Sequence, residues 1–528
     1  MLLFVICSNT FAFQIPTGVN DLELRWDNTF KYNLGYRTTG QDEAILKSVN
    51  YDDGDRNFGR GIITNRLDIL SEFDLQYKQR YGFRVSGSFW YDQRYHDRLD
   101  NVSAATSNHL ENGQPAIGLS DQTKRYMAGP SGELLDAFVF GGVDIGPVPV
   151  NIKVGRHTVY WGESLFLSGA IHGVSYAQMP IDVLKGFSVP GTEAKELFRP
   201  LFNVSGTAQL MTNLSISGQY FLQWEPYRLP EAGSYFGFND AMLMGGESLI
   251  LGPGLRLLRI DDVEPRGTKD FGLSARWSPA WLDGTISIYY RRFSDKLFQT
   301  YVNVPARSYF FVYPDSIDLY GVSLSKQILG ISVGAELSYR TNMPLNSEAI
   351  VTTSRPAEGE TLGARGDTWH GVINGLYVFK PPLCDSATVA AEIVWNRVER
   401  VKQGDNVYKG RDGYMALDRV THDFVGAAVS FSPTWFQVFP GVDLSIPLSW
   451  AGGVSGNSGV SFGGNAHAGN WSAGLSADVF NKYKFDLKYV DAYGDYETNA
   501  AGGIAQYNSN YALVKDRGMI AFTFKVSY

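Results

Sequence analysis

The sequence predicts an all-β protein, a transmembrane antiparallel β-barrel of about eighteen strands, with sixteen also open, and an inward-folded loop. Three observations predict it. The last residues, Gly518 to Tyr528, place Ile520, Phe522, Phe524, Val526 and Tyr528 at every second position, with small or polar residues between them. The same alternation recurs along the whole chain. The connections between alternating runs are short and long by turns. A period of two gives a strand one apolar and one polar face, which in a barrel means lipid outside and a wet lumen inside.

Composition agrees. A soluble chain of 528 residues would be expected to divide into several domains, whereas one large barrel uses this length as a single unit. Aromatics make up 14% and there are 57 glycines, suiting interfacial girdles, turns and crowded lumens. Mean hydropathy is −0.16, too polar for a helical membrane protein, and no run of ~20 apolar residues is present. The formal net charge of −8 is mild, and no long basic run suggests nucleic acid. Residues 1–12 read as the end of a secretory signal. Leu2 to Cys7 is its apolar core, and Thr10-Phe11-Ala12 is a cleavage site before Phe13. A basic leading region is missing, so the start is expected further upstream. Ile6 stands where a lipoprotein signal wants a small residue before Cys7, which argues against lipidation. The mature unit, 13–528, then keeps Cys384 alone and has no intrachain disulfide. The aromatic terminus resembles the signal that delivers barrels to the Gram-negative outer membrane, which is the expected location.

Taken in order, Leu22 to Arg37 carries Leu22, Leu24, Trp26, Phe30, Tyr32, Leu34 and Tyr36 on one face, against Glu23, Arg25, Asp27, Lys31, Asn33 and Arg37. Asn65 to Lys78 sets Leu67, Ile69, Phe73, Leu75 and Tyr77 against Arg66, Asp68, Glu72, Asp74, Gln76 and Lys78. Tyr483, Phe485, Leu487 and Tyr489 alternate with Lys484, Asp486 and Lys488. Each run reaches the ~9–11 residues of a membrane strand. A charge facing hydrocarbon near the midplane costs ~2–4 kcal/mol, so these charged rows must face water or one another. A soluble sheet with one solvated face is the alternative, but it explains neither the aromatic terminus nor the number of such runs.

Short connections fall near 78–81, 145–149, 212–214, 278–284, 328–331, 380–386, 432–441 and 480–483. Long ones fall near 38–61, 96–130, 158–200, 227–267, 294–316, 342–368, 399–420, 451–470 and 495–513. They separate eighteen strands and put both termini on the periplasmic side, where turns are short. Trp277, Trp281, Trp435, Phe436 and Phe439 cluster at short turns and read as an interfacial girdle, with ordinary turn packing as the alternative for some.

A barrel of 16–18 strands leaves an aqueous channel unless something fills it. The candidate filler is the segment 158–200, a lumen loop or plug. Ser164 to Ile181 contains no Asp, Glu, Lys or Arg. Gly169, Gly173 and Pro180 forbid a spanning helix. Phe166, Leu167, Ile171, Tyr176 and Met179 are the substrate-path candidates. A solvated outer loop has little reason to be so apolar, although an outward cap packed on neighbouring loops is also open. Arg156, His157, Glu163, Asp182, Lys185 and Arg199 flank this core and are the loop-anchoring candidates, expected to pin it to charged lumen residues of the first strands.

Catalytic signals are weak, and no enzyme is expected. Gly459 to Gly463 matches G-x-S-x-G, but in a Gly/Ser-rich outer loop rather than a strand–turn–helix. The seven histidines are scattered, and neither a zinc motif nor paired Cys/His spacing occurs, so no metal or cofactor is expected. His157 reads as a hydrogen-bonded histidine at the loop base. Asp52, Asp53 and Asp55 could bind calcium, but without the EF-hand spacing a salt-bridged loop anchor is favoured.

Tyr51 to Phe58 (YDDGDRNF), Asn65 to Asp68, Glu133 to Phe138, Gly155 to Glu163, Pro180 to Val183 and Arg228 to Glu231 together resemble the proteobacterial domain-of-unknown-function (DUF) family 1302. The resemblance runs essentially full length and is densest before about residue 280. It implies an outer-membrane barrel associated with a second outer-membrane or lipoprotein family (DUF family 1329) and with lipid-type inner-membrane exporters of the resistance–nodulation–division superfamily. It supplies no catalytic residues. The expected function is a conduit for hydrophobic small molecules or lipids, gated by the apolar loop, with outer-membrane lipid as a partner. A general diffusion porin for polar solutes is the first alternative, and an outer-membrane enzyme or assembly scaffold is the second.

Overall fold

The computed structural model describes residues 13–184, 197–266 and 269–528. Eighteen antiparallel strands form one closed barrel. The first seven are Leu22–Arg37, Gly61–Tyr77, Tyr81–Asp92, Ser131–Ile145, Val148–His157, Leu201–Met211 and Leu214–Phe221. The eighth to fourteenth are Phe271–Trp277, Gly284–Phe293, Ile317–Ile328, Ile331–Pro344, Arg365–Phe379, Ser386–Gln403 and Asp423–Phe439. The fifteenth comes in two pieces, Val442–Ser445 and Leu448–Ser455. Gly469–Val479, Tyr483–Tyr493 and Met519–Ser527 complete the wall. Pro447 explains the break, because it brings no N–H to the ladder.

Closure is set by the terminal run, which pairs Arg37 with Met519 at one end and Thr29 with Ser527 at the other. Where the last strand stops, the segment Phe13–Ile15 takes over the same edge of the first strand, pairing Phe13 with Trp26 and Ile15 with Leu24. Residues 1–12, read as signal, lie outside the described residues. The wall's faces follow the alternation. On the first strand Trp26 and Tyr36 are about half exposed on the outside, at 49% and 50%, while Lys31, Asn33 and Arg37 are buried inside. No helix among the described residues is long and apolar enough to cross a membrane.

The connections keep their short–long alternation. One boundary moves: the fourteenth strand continues through the expected 432–441 turn to Phe439, which pairs with Val442. Trp435, Phe436 and Phe439 therefore sit on the strand end. The turn shrinks to Pro440-Gly441, where Gly441 adopts φ +78°, a conformation open to glycine at little cost.

The long connections fold over and into the barrel. Its main apolar core is intramural. Ile171, Val174 and Tyr176 pack with Tyr227 and Leu229 of the seventh–eighth connection and with Phe293, Ile317 and Leu319 of the wall. A second core joins Phe58, Tyr95, Tyr235 and Met519.

Candidate functional site

The fifth strand ends at His157, whose Nε2 lies 2.7 Å from Ser205 Oγ and Nδ1 3.0 Å from the Gly155 carbonyl. From Thr158 the chain turns inward and crosses to the ninth to fourteenth strands. Its uncharged core meets a charged wall, and the wall holds it by the main chain. Glu336 of the eleventh strand accepts from the Ser164 N–H with Oε1 at 2.9 Å and from the Val174 N–H with Oε2 at 2.6 Å, and it also accepts from Glu163 N–H. Glu392 of the thirteenth accepts from Leu165 N–H at 2.7 Å and Phe166 N–H at 3.3 Å. Asn374, on the strand between them, donates to the Glu163 carbonyl at 2.7 Å.

Arginines take the carbonyls. Arg340 Nη2 donates to Ile171 O at 3.0 Å and Gly173 O at 2.9 Å. Arg291 Nη1 donates to Val174 O at 2.8 Å and Tyr176 O at 2.7 Å. A non-helical chain deep in a barrel needs partners for its backbone groups, and leaving one buried and unmade costs ~1–3 kcal/mol. Glycines permit the approach. A Cβ at Gly169 would collide with Glu392 Oε1, and one at Gly173 would lie 2.7 Å from Glu336 Oε2. One short helix, Leu167–His172, contains Gly169 and ends at Gly173.

Two side chains add specific contacts. His172 Nε2 sits 2.8 Å from the Gly463 carbonyl, which can only accept, so this nitrogen carries the proton. His172 Nδ1 must then accept from His370 Nδ1 at 3.0 Å, leaving His370 Nε2 to accept from Thr368 Oγ1 at 2.8 Å. The Gly463 that ends the G-x-S-x-G match thus serves the loop's seat. Ser461 Oγ of the same match donates to Asn346 Oδ1. Tyr176 Oη donates to Asp295 Oδ1 at 2.7 Å.

The five apolar candidates do not form one stripe. Ile171 and Tyr176 belong to the main intramural core, and Met179 packs with Leu201 and Phe221 in a separate cluster. Phe166 is half-buried. Leu167 and its neighbour Leu165 remain 46% and 45% exposed, although the Leu165 N–H is fixed on an inward-facing wall carboxylate. The reason is the direction of approach: the loop presses Val174 and Tyr176 into the other connections and leaves its leading turn facing the residual lumen.

The anchoring candidates mostly find partners away from the first strands. Asp182 pairs with Arg228 at 2.7 Å, and Arg228 reaches Glu133 of the fourth strand at 2.9 Å. Arg156 and Arg199 converge on Glu225, at 3.1 and 2.5 Å. The base of the loop stands on the fifth and sixth strands, so the connection leaving the neighbouring seventh strand supplies Glu225 and Arg228. Glu163 accepts from Ser323 Oγ at 3.4 Å. Lys185 lies outside the described residues. Asp55 pairs with Arg37 at 2.7 Å and Asp52 with Arg56, whereas Asp53 makes no ion pair among the described residues.

Among solved structures the chain is similar to OccD3 (OpdP) of Pseudomonas aeruginosa, at 10% identity over 98% of this chain and 94% of that one, with a TM-score of 0.42. It is also similar to OccAB4 of Acinetobacter baumannii, at 8% identity over 96% and 98%, with a TM-score of 0.43. A BenF-like porin from Pseudomonas fluorescens Pf-5 matches at 10% identity over 97% and 98%, also at 0.43. No curated protein matches. The family model described as "Protein of unknown function (DUF1302)" matches residues 2–528, and the chain belongs to that family.

Proposed function

We propose that this chain is a conduit of the Gram-negative outer membrane for hydrophobic small molecules or lipids, gated by the apolar lumen loop 158–200. One observation carries the reading: the core of this loop, Ser164 to Ile181, is uncharged and firmly seated by its main chain, yet Leu165 and Leu167 stay about half exposed inside the barrel. Bare leucine costs ~25 cal/mol for each Å² shown to water, and a segment serving only as a plug gains nothing by it. A hydrophobic cargo would cover these side chains. The outward apolar belt and the closed eighteen-stranded wall support membrane insertion.

The second reading, a diffusion porin for polar solutes, draws on Lys484, Asp486 and Lys488, which line the lumen half-exposed on the seventeenth strand. Planar-bilayer recording separates the two. The conduit predicts small conductance that rises when 164–179 is deleted, lipid or apolar ligand co-purifying with the intact protein, and altered cargo flux in the folded deletion variant. Large steady conductance in the intact protein supports the porin, and unchanged flux on deletion removes the gate. An enzyme role is tested by lipid hydrolysis with a Ser461→Ala control. A scaffold role, or partnership with a DUF family 1329 protein and an inner-membrane exporter, is tested by affinity purification from native membranes.

A further inference from the structure

The outer connections bury a second acidic cluster that the lumen loop does not use. Asp52 and Asp53 belong to the first–second connection and Asp240 to the seventh–eighth, and all three are buried. One oxygen from each lies within 4.8 Å of the others. Their hydrogen bonds engage one oxygen apiece. Asp52 Oδ2 accepts from Arg56 Nε and from Thr106 Oγ1. Asp53 Oδ2 accepts from Asn108 N–H at 2.8 Å, and Asp240 Oδ2 from Asp53 N–H at 3.0 Å. The other three oxygens, each Oδ1, are buried without a hydrogen-bond partner. Asn108 adds a fourth. It is 1% exposed, its Nδ2 is held by Asn50 Oδ1 and Ser248 O, and its own Oδ1 has no partner.

Charge is also unbalanced. Arg56 on Asp52 is the one ion pair these three carboxylates make among the described residues. His109, Arg256 and Arg517 act on the cluster only from a distance. Three buried orphan carboxylate oxygens under a surplus of negative charge, with a further orphan oxygen on Asn108, whose N–H binds Asp53, form an arrangement that proteins complete with a cation.

We propose that Asp52, Asp53 and Asp240, with Asn108, hold a divalent cation of calcium's chemistry that staples three outer connections together. Calcium binds oxygens at about 2.3–2.6 Å, so two ligands of one ion stand no more than about 5 Å apart, and the spacing of the three carboxylates satisfies that limit. The donor set is oxygen only, which suits a hard cation and not zinc or copper. This inference rests on the loop cluster and not on the transport reading.

The experiment uses the full chain in detergent, stripped with a chelator and titrated with CaCl2 at neutral pH. The expected result is one equivalent bound, with a Kd between about 10⁻⁵ and 10⁻³ M, and a rise in melting temperature. Asp53→Asn and Asp240→Asn should weaken binding at least tenfold while leaving the metal-free protein as stable as the parent, since each removes a buried charge. Terbium luminescence of the unaltered protein, displaced by calcium, reads the site even if a variant fails to assemble. No binding heat and no terbium emission up to about 10 mM ion, or an equal calcium response in Asp240→Asn, would overturn the proposal.

Discussion

Two stretches of the barrel wall carry inward charges and use them in opposite ways. On the second to fourth strands the charges satisfy one another. Arg84 pairs with Glu72, with Asp74 at 3.2 Å and with Asp136 at 3.4 Å, and Arg66 with Asp68 at 2.8 Å. On the ninth to thirteenth strands Arg291, Glu336, Arg340 and Glu392 make no ion pair with one another. They bind the backbone of the inward segment instead. A charged wall residue facing another charge lines a lumen, and a charged wall residue facing an uncharged chain captures it.

Breaking the capturing wall should have the largest effect. Glu336→Ala leaves three N–H groups without an acceptor, one buried and two part-buried, at ~1–3 kcal/mol each, so a loss of about 3 kcal/mol or more is expected in chemical unfolding. New proteolytic cleavage within residues 158–184 should accompany it. Arg340→Ala, which strips two carbonyls, should cost about 2 kcal/mol by the same measurement. Gly169→Ala forces Glu392 off its contacts and should cost about 1–3 kcal/mol, with raised open-channel noise in bilayers.

The self-paired wall should respond less. Arg84 keeps 28% of its side chain exposed, so Arg84→Ala should lose no more than ~1 kcal/mol while shifting ion selectivity towards cations. An unfolding loss matching that of Glu336→Ala would erase the distinction between the two walls. Leu167→Ser should be the mildest change, within ~0.5 kcal/mol in stability, and should show only as reduced flux of apolar cargo.

The barrel was legible because its signals are local. Ile520 to Tyr528 shows its period without reference to any other segment, and the strand count follows from connection lengths that are set by the two sides of a membrane. The inward segment was legible for a similar reason: the absence of charge between Ser164 and Ile181 is a property of that stretch alone. Its partners were not. Glu336 and Glu392 stand 162 and 226 residues from the N–H groups of Val174 and Phe166 that they accept from, and no periodicity connects them. A faint signal was present, since Glu336 and Arg340 are isolated inward charges on a strand whose other inward positions are largely small or polar. Asp240 was equally hidden, because only folding brings it to Asp52 and Asp53. Pro447 was readable as a ladder defect and could have foretold the divided fifteenth strand.

The main-chain grip on the inward segment has an evolutionary consequence. Every peptide unit offers the same N–H and C=O whatever side chain it carries, so the contacts made by Glu336, Glu392, Arg291 and Arg340 survive substitution at most of the positions they hold. Only the glycines beneath the carboxylates are fixed by space. Leu165, Phe166 and Leu167 can therefore change polarity or bulk while the segment stays docked. The wall acts as a socket for interchangeable inserts, and relatives sharing its four charged residues should present chemically different surfaces to the lumen on the same seat.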